Sequence, residues 1–121
     1  MSQIESSVVF LPRFTTLVGA TTFTTLPLDV SRFGSVQFQV WQAGIRDPAA
    51  SPAPTLKVSL EESLDAQSWA LGAASPEPFL VVADEVKFFS HSFRLRWFRL
   101  KVEMPGSVEP MVTLWAEGIL R

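Results

Sequence analysis

Cysteine and tyrosine are absent from this 121-residue sequence, and histidine occurs once, at His91. Without cysteine, disulfides, thiolate metal sites and cysteine nucleophiles are excluded, and with them a disulfide-stapled secreted domain. The six glycines are scattered singly, so no glycine-rich phosphate loop can form. Apolar runs are too short to span a bilayer as a helix. The first residues, MSQIESSVVFLPRF, carry no basic region and no long apolar run, so no signal peptide is expected. No segment keeps helical periodicity over the length of a helix. The net charge is −2 with the signs mixed along the chain, which gives no reason to expect nucleic acid or an anionic membrane as a partner. The expected location is the cytoplasm, or a particle assembled there.

What is present is strand-like. Apolar residues make up 47% of the chain, enough for one domain with a real core. Residues 1–7 read as a flexible N-terminal arm and residues 8–121 as a single domain. In Thr55–Trp69, Leu56, Val58 and Leu60 alternate with Lys57, Ser59 and Glu61, the period of a half-buried strand. The polar stretch Ser63–Ser68 reads as a turn that returns Trp69 to the core. Ser35–Gln42 alternates in the same way, with Val36, Phe38 and Val40 inward. Further strands are expected at Val8–Leu11, extended by Arg13–Val18 beyond Pro12, and at Thr21–Val30, where Pro27 marks an edge or a bend. The rest are expected at Trp69–Leu71, Phe79–Ala83, Val86–Phe89, Phe93–Met104 and Met111–Leu120. Turns or loops are expected at Gly19-Ala20, Asp29–Gly34, Ala43–Pro54, Gly72–Pro78, Ser90–Ser92 and Pro105-Gly106. The resulting fold class is all-β: an antiparallel β-sandwich of seven to nine strands, of jelly-roll type.

Catalytic candidates are few. His91 falls in an expected turn, where an exposed loop histidine is the simplest reading. The carboxylates at Glu61-Glu62, Asp65 and Asp84-Glu85 match no known cation loop; surface carboxylates are the default, with calcium a minor alternative. No catalytic residue, metal site or cofactor is assigned, and an enzyme is not expected. Arg94, Arg96, Arg99 and Lys101 make one strand locally basic, with Glu61, Glu103 and Glu117 on neighbouring strands as cross-strand partners.

The tryptophans carry more information. Judged against the aliphatic parity of their strands, Trp41, Trp97 and Trp115 point away from the core. Two readings are open. Loops or the N-terminal arm cover these rings, or a bulge turns one inward. Alternatively they form a protein–protein interface or a sugar-stacking platform.

Ser63-Leu64-Asp65-Ala66-Gln67-Ser68-Trp69 resembles the S-x-D-G-x-x-W turn of discoidin-like jelly rolls, with Ala66 in place of the preferred glycine. Arg94-Leu95-Arg96-Trp97-Phe98-Arg99-Leu100 resembles the arginine-aromatic strand of those folds. In layout, the chain also resembles short β-sandwich accessory proteins of tailed bacteriophages and related particles. That resemblance implies a non-enzymatic virion-associated subunit, such as a capsid decoration or tail accessory protein. It would bind itself or a larger particle through an aromatic-rich face formed by Trp41, Trp97, Trp115, Arg96 and Arg99. The alternative is a carbohydrate-binding module, in which the tryptophans stack on sugar rings and Arg96, Arg99 or Gln39 bond hydroxyls.

Overall fold

The computed structural model describes residues 5–19, 22–46, 55–71, 79–104 and 110–121. Residues 1–4 of the expected arm, the Gly19-Ala20 turn beyond Gly19, most of the Ala43–Pro54 loop, and the Gly72–Pro78 and Pro105-Gly106 turns lie outside them. The described residues form ten strand segments and no helix. These are β1 (Ser6–Val18), β2 (Thr22–Thr24), β3 (Leu28–Asp29), β4 (Ser35–Gln42), β5 (Leu56–Ser63), β6 (Ala70–Leu71), β7 (Phe79–Val81), β8 (Lys87–Ser92), β9 (Trp97–Glu103) and β10 (Met111–Leu120). Consequently none of the described residues forms a helix long and apolar enough to cross a membrane.

The strands make two antiparallel sheets. One has the order β1-β10-β4-β8. The other has the order β2-β9-β5-β6, with β3 also on β9 and β7 also on β5. β2 and β3 are two pieces of one edge strand along β9, and β6 and β7 are two pieces of another along β5. Counted that way, eight strands remain. They pass back and forth between the sheets in the order of a double-sheet jelly roll.

Alternation in the sequence explains the layers. Val36, Phe38 and Val40 of β4, Phe98, Leu100 and Val102 of β9, and Val112, Leu114 and Ala116 of β10 are all buried between the sheets. Phe10 of β1 joins the two layers, its ring edge-on to both Phe38 and Phe98 at 5.8 Å. Each such ring removes enough apolar surface from water to contribute about 2–3 kcal/mol, so truncating Phe98 to alanine costs about 3–5 kcal/mol.

The structure departs from the sequence-based expectation at four places. β1 starts at Ser6, so Ser6 and Ser7 of the expected arm pair with Leu120 and Ile119. As expected, it continues past Pro12, its register slipping between Val9 and Leu11 and again between Leu11 and Thr15. Such bulges let an edge strand accommodate a proline. The expected strand Thr21–Val30 is broken around Pro27 into β2 and β3. The expected Ser90–Ser92 turn is the second half of β8, and Phe93–Arg96 is a connection rather than strand, so β9 begins only at Trp97.

Buried polar clasps sit between the sheets. Gln42 is fully buried; its amide donates to the Val81 carbonyl at 2.8 Å and accepts from the Gly44 N–H at 2.9 Å. This ties β4 of one sheet to β7 of the other. A second clasp joins Glu62 of β5 to His91 of β8, with Oε2 and Nε2 3.2 Å apart and both side chains almost wholly buried. The other Glu62 oxygen accepts the N–H groups of Arg94 and Leu95 at 2.8 and 3.1 Å. The expectation of an exposed loop histidine is therefore overturned: His91 shares the inward parity of Phe89, stacks on Phe98 and meets a carboxylate from the opposite sheet.

Candidate functional site

Register decides which side chains share a face. Trp115 of β10 lies directly opposite Trp41 of β4, and both project from the outer face of the four-stranded sheet. Their rings stack at 6.4 Å. The Arg13 guanidinium, held by Glu117 at 2.8 Å, lies over the Trp115 ring at 4.2 Å. Between Trp41 and Arg13, Trp115 retains only 8% of its exposure.

Trp97 belongs to β9 and so projects from the outer face of the other sheet. The expected single aromatic face made of Trp41, Trp97 and Trp115 is therefore two faces on opposite sides of the molecule. Parity reports whether a side chain points out of its own sheet, not which sheet the strand joins. Arg96 and Arg99 lie with Trp97. Arg96 bonds Asp29 at 2.9 Å and approaches the Trp97 ring at 5.5 Å. Arg99 bonds Glu61 at 2.9 Å and lies over Trp69 at 4.1 Å. Trp69 was expected in the core; instead it is half-buried on this outer face, and Trp115 is more buried than Trp69. Glu61–Arg99 is the cross-strand pair expected from the sequence.

Arg13, Arg96 and Arg99 thus each have a carboxylate partner and a tryptophan ring within cation–π range. These Arg–Trp stacks cover indole faces that a sugar platform would need bare.

The turn of Ser63–Ser68 forms as the sequence suggests. The Ser63 hydroxyl oxygen accepts the N–H of Asp65 and Ala66, and Asp65 Oδ1 accepts the N–H of Gln67 and Ser68 at 2.9 Å each. These donors, Ser68 first, hold the Asp65 carboxyl below its ordinary range. At Asp29, the Ser31 hydroxyl and N–H, with Arg96, lower the pKa to about 2. In both cases donors stabilise the charged carboxylate, and both groups serve local architecture.

Among the described residues, a further surface feature was not singled out by the sequence reading. On the outer face of the four-stranded sheet, a trough of about 670 Å³ runs over Gln37, Gln39 and Gly118. Val9 and Ile119 flank it on one side and Phe88 on the other, all three exposed, Phe88 by 76%. The trough's polar groups are partly engaged already. Gln37 Oε1 accepts from Arg121 at 2.9 Å, and Glu117 is held by Arg13. A signal for Phe88 was available: consecutive residues of a strand point to opposite faces, so one of Phe88 and Phe89 had to point outward.

Among the described residues, no group of three or more histidine, aspartate or glutamate side chains could hold a metal ion. No protein-family model matches the chain, and no curated protein matches it.

Proposed function

We propose that this chain is a non-enzymatic structural subunit that binds protein through the outer face of its four-stranded sheet. In its most specific form it is a virion-associated protein, a capsid decoration or tail accessory subunit, located in the particle. The trough flanked by Val9, Ile119 and Phe88 is the observation that carries this reading, because monomers rarely leave exposed apolar side chains gathered around a depression without a partner. Two further features support it. The one histidine is committed to the interior, and the jelly roll is an architecture used by coat proteins, a fold-level analogy. The resemblance of the chain's layout to short β-sandwich accessory proteins of tailed bacteriophages points the same way.

Lectin domains share the architecture, so the test must separate the two classes. Particles purified from cells producing the chain are expected to contain it in stoichiometric amount. They should lose it when Val9→Lys is introduced on the trough wall. A chain absent from particles, whose melting temperature rises with neutral oligosaccharides, overturns the proposal in favour of carbohydrate binding.

A further inference from the structure

The same face carries a more specific inference, which rests on reading it as the docking face. We propose that its occupant is a second copy of this chain, packed face to face about a two-fold axis, with Phe88 of each copy seated in the trough of the other. A two-fold interface must be self-complementary, since every patch meets its own symmetry mate. This face holds both halves of such a contact: an exposed aromatic knob on β8, and beside it an apolar-walled trough that the knob of the same molecule does not fill.

Charge supports the same occupant. Like side chains approach one another across a two-fold axis, which an unbalanced charged face resists. Here Arg13 is paired with Glu117 and Arg121 with Glu5. A face so balanced offers little to a strongly charged partner and no penalty to its own copy. With strands about 4.8 Å apart and residues about 3.4 Å along each strand, the sheet covers roughly 500 Å² per copy. The pair therefore buries roughly 1,000 Å², the lower limit for specific association. Dissociation in the micromolar range follows, with the sheets about 10 Å apart as in other stacked sheets.

Sedimentation equilibrium from about 1 µM to about 500 µM, bracketing the expected dissociation constant, tests this. The wild-type chain is expected to pass from monomer to dimer. Phe88→Lys and Ile119→Glu should each weaken the dimer at least about 100-fold by burying an unpaired charge. Their equimolar mixture should recover a mixed dimer: the introduced lysine then meets the introduced glutamate in one contact, while the other keeps Phe88 against Ile119. Both side chains are exposed, and unchanged circular dichroism shows that each variant folds. Leu80→Lys, on β7 of the opposite sheet, should dimerise as wild type. A chain monomeric throughout the range overturns the proposal, as does a dimer that survives both trough variants or a mixture that stays monomeric. A monomer still found on particles refutes the second copy while leaving the docking face in place.

Discussion

Ala66 stands where the related turn pattern prefers glycine, and its φ is 63°. In that left-handed region the Cβ of an L-residue crowds the following carbonyl, at about 1–2 kcal/mol. The turn holds Ala66 there because its N–H and that of Asp65 both point at the Ser63 hydroxyl, while Asp65 caps the next two N–H groups. Ala66→Gly removes the crowding and leaves every one of these bonds intact, since all use backbone N–H groups or other side chains. Against this, glycine gives the unfolded chain more freedom, at about 0.4–1 kcal/mol. The net expectation is stabilisation by about 0.8 kcal/mol. For a domain of this length, with an unfolding entropy of about 250 cal/mol/K, that raises Tm by about 3 °C. Urea unfolding followed by tryptophan fluorescence should show a higher midpoint at unchanged slope. Ala66→Val is the opposing control: a β-branched residue at this φ should destabilise by more than 1 kcal/mol, roughly. If Ala66→Gly is neutral or destabilising while Ala66→Val is tolerated, the strain argument is refuted.

Three further perturbations follow from the packing. A Cβ at Gly118 would lie 2.5 Å from the Gln37 carbonyl oxygen and 2.6 Å from the Phe38 Cβ, so Gly118→Ala should force β10 and β4 apart and cost about 2–3 kcal/mol in chemical denaturation; a change under about 0.5 kcal/mol would contradict that approach. Glu62→Ala strands buried His91 and two backbone N–H groups, and should cost about 3–5 kcal/mol. Glu62→Gln, which keeps an acceptor for those N–H groups, should cost clearly less, and equal losses would show that the clasp is not held by these bonds. Asp29 has a folded-state pKa of about 2, below its unfolded value of about 3.9. Its contribution is present above about pH 4 and is lost as pH falls through about 2. Asp29→Asn should therefore flatten the acid limb of the urea midpoint in that window, and an unchanged limb would refute the assignment.

Much of the fold could be read from alternation alone. β4 and β10 occur at the residues expected, because Val36-Phe38-Val40 and Val112-Leu114-Ala116 leave only one register in which apolar groups share a face. The outward parity of Trp41, Trp97 and Trp115 was legible for the same reason. Which sheet each strand joins was not, because that depends on pairings between distant strands, and this divided the expected aromatic face in two. His91 was misplaced because its carboxylate partner lies 29 residues away on the opposite sheet. Its inward parity could be read only once Phe88–Ser92 was recognised as strand. Trp69 failed differently. A large aromatic after a polar turn has an apolar body suited to the core, yet here the Arg99–Glu61 pair supplies a competing surface on the outer face. The trough escaped notice because its walls come from β1, β8 and β10, which are brought together only by the sheet order.

The central claim is that binding occurs on the outer face of the four-stranded sheet. Hydroxyl-radical footprinting, read by mass spectrometry on the isolated monomer and on the assembled form, tests it most directly. On assembly, labelling of Phe88 and Ile119 should fall several-fold, while Trp97 and Trp69 on the opposite sheet keep their monomer rates. Protection centred on Trp97 and Trp69, with Phe88 labelled as freely as before, would contradict the claim.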